Sequence, residues 1–226
     1  MNDAPALRAE EVRKVFRRDG YDLEVLKGVS LSLGRGETAA VVGVSGAGKT
    51  TLLQILGTLD RVTSGKVSYA GRNVTDLTRE EMAAFRNRSV GFVFQSHNLL
   101  PEFTVLENVT IPCLIARMDP AEARRRALAL LAEVGLSDRV AHRIGEISGG
   151  EQQRTAICRA LVMEPSVLLA DEPTGNLDRA TASGVVDLLL ALNRSRGLSL
   201  LMVTHNDQVA SRLHRVIRID DGRIVP

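Results

Sequence analysis

Cysteine is scarce in this chain: Cys113 and Cys158 are the only two among 226 residues. Two thiols cannot build a disulfide framework, and Cys158 falls among the apolar positions of a helical pattern, so both read as free, reduced thiols. Long apolar runs are also missing. The longest, Val185 to Leu192 and Leu198 to Val203, fall far short of the roughly 20 residues a membrane helix needs. The amino terminus, "MNDAPALRAEE", is acidic and has no apolar signal core, which predicts a cytosolic protein. An excess of one charge is absent as well. Lys and Arg number 29 against 27 Asp and Glu, a net charge of +2, which argues against a nucleic-acid surface and predicts no nucleic-acid partner. The one dense basic run, Arg124-Arg125-Arg126, lies opposite the apolar stripe Ala127, Leu130, Leu131 and Val134 and reads as the wet side of a helix. Repeats, low-complexity tracts and linker-like runs are lacking too, so residues 1–226 are expected to fold as one unit.

What is present is a change of rhythm along the chain. The first forty residues read as β: "LRAEEVRKVF", "LEVLKGVSLSL" with partial alternation, and "ETAAVVG". Helix then alternates with strand: a helix near 48–56, a strand pair near 66–74, a helix near 79–87 and the strand "VGFVF" at 90–94. From about 95 to 165 the pattern is helical, with starts near Thr104, Pro120 and Gly149. "SVLLA" at 166–170 and "LSLLMVT" at 198–204 have the composition of buried parallel strands, joined by a crossover helix from Thr181 to Asn193. The end, "VIRIDDGRIV", reads as a hairpin turning at Asp220-Asp221-Gly222. The expectation is an α/β core, about 1–94 and 166–226, with a helical lobe at about 95–165.

Directly after an apolar strand and before an apolar-periodic helix stands Gly43-Val44-Ser45-Gly46-Ala47-Gly48-Lys49-Thr50. This is the spacing of a phosphate-binding loop. Its glycines let backbone N–H groups close around a phosphate, Lys49 places a point charge between β- and γ-phosphates, and the Thr50 hydroxyl is a natural Mg²⁺ ligand.

A second signal is "VLLADEP", a buried strand that ends in two acids. Burying carboxylates is costly without a cation or hydrogen bonds. Asp171, at the strand's carboxyl end, is placed to face a Mg²⁺ held by Thr50. Glu172 then lies where a carboxylate can take a proton from attacking water, a group that a module for nucleotide binding alone does not need.

A third signal, "ISGGEQQR" at 147–154, is a hydroxyl and two glycines opening a helix, which is another anion cradle. In this order the three motifs resemble the ATPase subunits of ABC transporters, over nearly the whole chain. The resemblance implies a P-loop NTPase core with a parallel sheet, an amino-terminal antiparallel β subdomain and a helical ABC-specific subdomain, working with ATP and Mg²⁺. It implies a head-to-tail homodimer in which Ser148, Gly149 and Gly150 of one copy contact the γ-phosphate lying on Gly43 to Thr51 of the other. It also implies that Gln95 senses Mg²⁺ and the attacking water, that His205 is the switch histidine at the γ-phosphate, and that Asp178 lies at the dimer seam. Phe16 matches the aromatic that stacks on adenine, with Tyr21 as the alternative. Ile147 and Glu151 depart from the family's usual leucine and glutamine, and the Glu151 carboxylate is expected to point away from the phosphate.

"GTLDRVTSGKV" and "NLLPEFTVLENV" are similar to a bacterial subfamily of lipoprotein-releasing (Lol-type), macrolide-exporter and cell-division ATPases. "HNLLPEFTVLENVTIP" is most like the Lol type. The implied setting is peripheral, on the cytoplasmic face of the bacterial inner membrane, beneath two integral membrane permease subunits that dock near Gln95–Ile111. Leu99, Leu100, Pro101, Phe103 and Val105 are expected to floor the docking groove. The chain ends at Pro226, which fits a stand-alone subunit better than a fused exporter. The alternatives are a cell-division-type ATPase signalling through a membrane partner, and a macrolide or peptide exporter ATPase. A soluble ABC ATPase of DNA repair or translation fits the balanced charge and the apolar stretch after Gln95 less well.

Overall fold

The computed structural model describes residues 4–18 and 20–226. Strands β1 (Leu7–Arg18) and β2 (Tyr21–Leu33) form a long antiparallel hairpin, with Leu7 opposite Leu33 and Phe16 opposite Leu23. Leu7, Ala9 and Val12 and the facing Leu26, Val29 and Leu33 are buried, so one side of the hairpin belongs to the core. The chain then leaves this sheet through β3 (Thr38–Val42), all five residues of which are buried.

Helix α1 (Lys49–Leu56) follows the glycine loop and buries Leu52, Leu53, Ile55 and Leu56. The chain returns to the hairpin as β4 (Ser64–Tyr69) and β5 (Arg72–Asn73), completing a four-stranded antiparallel sheet in the order β2-β1-β4-β5. Helix α2 (Arg79–Ser89) starts at Thr78, whose side chain and Glu81 exchange hydrogen bonds with each other's backbone, and leads into β6 (Val90–Val93).

The helical lobe contains α3 (Val105–Ile115), α4 (Pro120–Glu133), two short 3₁₀ turns and α5 (Gly149–Leu161). Two starts repeat one device, with Thr104 pairing with Glu107 and Ser148 with Glu151, while Asp119 caps α4 ahead of Pro120. Beyond the lobe come β7 (Val167–Asp171), α6 (Arg179–Arg196), β8 (Ser199–Val203), the short α7 (Asp207–Ala210), β9 (Arg215–Asp220) and β10 (Arg223–Val225). The second sheet has six strands in the order β10-β9-β3-β8-β7-β6, and only the β9–β10 hairpin is antiparallel.

Side chains on the central strands alternate between two cores. Ala39, Val41, Leu169 and Leu201 pack with α1 and the antiparallel sheet. Ala40, Val42, Leu168 and Leu200 pack with the helical lobe and α6, in a cluster that also holds both thiols, Cys113 and Cys158, free and buried. Burial on both faces is what made these strands continuous apolar runs in the sequence. The crossover helix runs longer than its apolar stripe predicted, from Arg179 to Arg196, because the Asp178 carboxylate accepts from the backbone of Ala180 and Thr181 and starts it earlier.

One buried amide organises the loop before α3. Asn108 is fully buried; its Oδ1 accepts from Leu100 N at 2.8 Å, and its Nδ2 reaches the carbonyls of Leu100, Phe103 and Thr104 at 3.0, 3.3 and 3.0 Å. Removing that amide orphans several backbone groups at once, so Asn108→Ala is expected to cost about 3 kcal/mol of stability. Urea unfolding measures this, and a loss under about 1 kcal/mol would show that the loop is held by other contacts.

Candidate nucleotide site

Two close contacts make Gly43 and Gly48 obligatory. A Cβ on Gly43 would sit 2.1 Å from the Ile219 carbonyl oxygen, so β9 pins the loop where it leaves β3. Gly48 has φ +98, a left-handed conformation, and lies against Leu26 and Val25 at the mouth of α1. Between them the Lys49 ammonium folds back over the loop and donates to the carbonyls of Gly43 and Val44 at 2.8 and 2.9 Å.

A cavity of about 380 Å³ opens above this loop, and it collects residues far apart in sequence. Gly43, Ser45, Gly46, Gly48, Lys49, Thr50 and Thr51 form one wall, and Asp171, Glu172 and His205 form the other. Ala47 does not line it; its side chain is buried. A larger, shallower hollow of about 950 Å³ lies along the outer side of β1 and β2, beside Arg8, Arg35 and Arg215, and shares no residue with the cavity.

The acidic wall is held under tension. Burial pushes the Asp171 carboxyl above its usual range, and a hydrogen bond from the Thr50 hydroxyl opposes that push. Glu172 adds repulsion and Lys49 attraction. Glu172 has φ +45, a left-handed backbone that is rare for a non-glycine residue and is stored at functional sites. Its N–H is fixed on the Val203 carbonyl at 2.9 Å, and its Oε1 lies 2.8 Å from Nδ1 of His205. Its Oε2 is buried without a protein partner. Glu172 thus lines the cavity with one carboxylate oxygen held by His205 and the other without a protein partner, a setting in which a carboxylate can serve as a general base. Thr50 and Asp171 supply two hard oxygen donors in mutual contact, which suits Mg²⁺, an ion that keeps waters and phosphate oxygens for its other positions.

Other sequence-predicted residues stand apart from this cavity. Gln95 donates from Nε2 to Asn176 Oδ1 at 3.2 Å, and its carbonyl accepts from Asn176 Nδ2 at 3.0 Å, which ties the start of the lobe to the turn after Glu172. Phe16 is 40% exposed on the hairpin, with the Lys14 ammonium 4.8 Å from its ring centroid, and Tyr21 is 80% exposed nearby. Ser148, Gly149 and Gly150 open α5, and none of them lines their own chain's cavity. Gly150 must be small, since a Cβ there would meet Thr181 of α6 at 2.6 Å. The Asp178 carboxylate is engaged as the α6 cap. Glu151 binds Ser148 N at 2.8 Å and Arg139 Nε at 2.9 Å, and the Arg139 guanidinium together with the Ser148 bonds holds its carboxyl down at about 2.

The expected docking floor needs correcting. Val105 is fully buried in the lobe core and cannot floor a groove; Leu99 is partly buried against that core, and Leu100 and Phe103 stay exposed. An apolar groove does lie close by, but Phe92, Phe94, Pro112 and Ile115 line it.

One part of the cradle is not visible in any local sequence pattern. The turn between β9 and β10 reaches back to the loop: Gly222 N donates to the Ala47 carbonyl at 3.1 Å, and Lys27 N donates to the Gly222 carbonyl at 2.8 Å. Lys27 Nζ adds an ion pair to Asp221 at 2.6 Å. A "DG" turn signals a hairpin, but nothing local says what the hairpin touches.

Residues 26–175 match the family model for the ABC transporter. The chain belongs to the ABC transporter family. It is 52% identical to the lipoprotein-releasing system ATP-binding protein LolD of Syntrophus aciditrophicus, over 97% of this chain and 98% of the relative. It is 55% identical to the LolD of Geobacter metallireducens, over 97% of each. Among solved structures it is similar to the dimeric bacterial ABC transporter cassette MJ0796, with a TM-score of 0.89, 38% identity and 97% of each chain covered. It is equally similar, at a TM-score of 0.89 and 37% identity over 97% of each chain, to a dimeric post-hydrolysis state of that cassette bound to ADP and Pi. An ABC ATPase binds and hydrolyses ATP, and the cavity over Gly43–Thr51 is the candidate cradle for it.

Gly222→Ala tests the buttress. A Cβ there would lie 2.3 Å from the Val25 carbonyl oxygen at φ +72, so the turn must withdraw from Ala47. Affinity for a fluorescent ATP analogue is expected to fall about tenfold, equivalent to about 1.4 kcal/mol, with far-UV circular dichroism unchanged. Unaltered affinity would show that the loop keeps its shape without the turn.

Proposed function

We propose that this chain is the ATPase subunit of a bacterial inner-membrane complex that releases lipoproteins toward the outer membrane. The observation that carries the reading is the likeness to LolD proteins, about half the residues being identical over essentially the full length of both chains. The chain works as a homodimer, in keeping with its dimeric solved relatives, and sits on the cytoplasmic face beneath two membrane permease subunits. Among the described residues no helix is long and apolar enough to cross a membrane.

In this reading Lys49 and the loop amides hold the β- and γ-phosphates, Thr50, Asp171 and Gln95 would hold Mg²⁺, and Phe16 offers its ring to adenine. Mg²⁺, when bound, neutralises charge on the phosphate oxygens. Glu172 takes the proton of the attacking water on its free oxygen, while His205 fixes its orientation and meets the γ-phosphate. Ser148, Gly149 and Gly150 complete the partner's site. Two copies each bring a helix end rich in N–H groups to a triphosphate held by the other, and cleavage of the γ-phosphate removes the anion that joins them. Asp178 lies at that seam.

Glu172→Gln keeps the shape of the side chain and removes the base. Turnover is expected to fall by about 10² or more with ATP affinity preserved, and the variant should accumulate as an ATP-bound dimer on gel filtration. A variant with near-normal turnover would remove Glu172 from the base role. The cargo is tested by reconstituting the chain with its membrane subunits in proteoliposomes loaded with a lipoprotein. ATP-dependent release is expected, and hydrolysis without release would overturn the lipoprotein assignment.

A further inference from the structure

Along β1 the positions Val12, Lys14 and Phe16 share one face, since side chains two apart in a strand point the same way. Val12 is buried in the core, and the stripe continues outward as a lysine whose side chain is only 12% exposed and a phenylalanine that is 40% exposed. An ammonium sunk this far at the edge of a core needs compensation. Asp60 and a carbonyl supply it: Lys14 Nζ lies 2.7 Å from Asp60 Oδ2 and donates to the Arg61 carbonyl at 2.9 Å. Both partners belong to the turn between α1 and β4, and that turn is itself bonded to β1. Thr63 N donates to the Arg13 carbonyl at 2.9 Å, and Val15 N donates to Thr63 Oγ1 at 3.0 Å. The lysine is held by a turn that is fastened to its own strand on either side of it.

The same ammonium stands over the Phe16 ring, 4.8 Å from its centroid. A bulge on the facing strand sets where this pair lies. Lys14 pairs with Leu26 and Val15 with Glu24, so Val25 is left between them without a partner on β1. Val25 lines the nucleotide cavity, and its carbonyl is where Gly48 and Gly222 come closest to the hairpin. Phe16 sits opposite Leu23, two residues beyond Val25, a step of about 7 Å along the hairpin. The ring therefore stands beside the rim of the cavity and not over the glycine loop.

We propose that Lys14 is a positioning residue for the nucleobase: it covers one face of Phe16 and fixes the ring so that the other face receives the base. The proposal rests on the reading of Phe16 as the stacking aromatic, and it adds the group that holds that aromatic in place. A phenylalanine has no polar atom through which a hydrogen bond could set the plane of its ring. Contact with a cation that is itself anchored at two points supplies the missing constraint. A base is stacked through its flat face, so the device selects ligands that carry a base without reading the base's edge. Because Asp60 balances the ammonium at 2.7 Å, Lys14 adds little field at the distant phosphates, and its effect is confined to the nucleoside end of the ligand.

The test measures binding to the full chain by isothermal titration calorimetry with Mg²⁺ present, comparing a non-hydrolysable ATP analogue with inorganic tripolyphosphate, which lacks the nucleoside. Lys14→Met keeps an apolar stem and removes the charge. Affinity for the ATP analogue is expected to fall about fivefold with tripolyphosphate affinity unchanged, and Lys14→Arg to retain most of the affinity, since a guanidinium also lies over aromatic rings. In a Phe16→Ala background Lys14→Met is expected to have no further effect. Equal losses for both ligands would show that Lys14 acts on the glycine loop through the turn at 60–63, and would overturn the proposal. If Phe16→Ala weakens binding of the ATP analogue while Lys14→Met does not, the stacking reading stands and the role of Lys14 falls. If Phe16→Ala leaves that affinity unchanged, the stacking reading itself falls and the proposal with it.

Discussion

Negative charge buried at the end of an apolar strand is the constraint on which the rest of this structure depends. β7 is a central strand with its side chains buried, and it ends in Asp171 and Glu172. Such a pair is tolerable only where cations and donors converge. The fold meets that demand by placing β3 and β8 so that the loop after β3 brings Lys49 and Thr50 to Asp171, and the end of β8 brings the Val203 carbonyl to the Glu172 N–H and His205 to the Glu172 carboxylate. The parallel order of the sheet is thus also an electrostatic arrangement, since Lys49, Thr50 and His205 all follow the carboxyl ends of strands that run parallel to β7, β3 and β8.

The glycine loop is held from behind as firmly as it is shaped in front. Ile219 closes on Gly43, and the turn at Gly222 bonds to Ala47. That turn is also tied to β2 through Lys27, so the antiparallel sheet and the carboxyl-terminal hairpin meet at the loop. A loop that must present N–H groups to a polyanion gains from such support, because preorganised donors need no rearrangement when charge arrives.

The motifs were legible because each is contiguous and each implies its own local structure. "GVSGAGKT" requires a strand before it and a helix after it, and both are there. The buried strands were legible as uninterrupted apolar runs. What sequence could not supply is contact between distant segments. Val105 was read as the floor of a groove, but it opens α3 and its side chain points into the lobe core. The pairing of Gly222 with Ala47, and of Arg86 with the Thr58 carbonyl, joins stretches whose local patterns carry no trace of each other. Asp178 was legible as a special residue, but its capping of α6 shows only once the helix start is seen.

Glu151 shows how a local departure from a family pattern can be neutral for an anion site. A carboxylate in the first turn of a helix proposed to accept phosphate would oppose binding if it were free. Here one oxygen is spent on Ser148 N and the other on Arg139, so the charge is paired at the side of the helix and its field at the tip is reduced. The same bonds fix Ser148 as the cap, with its Oγ accepting from Glu151 N at 3.3 Å. That leaves the N–H groups of Gly149 and Gly150, the first two positions of α5, without intrahelical acceptors at the helix end. A glutamine at position 151 could cap Ser148 equally well but would leave Arg139 without its carboxylate. The substitution therefore exchanges a neutral cap for a charged pair that braces the helix end against the 3₁₀ turn at 137–139 and keeps the donors free.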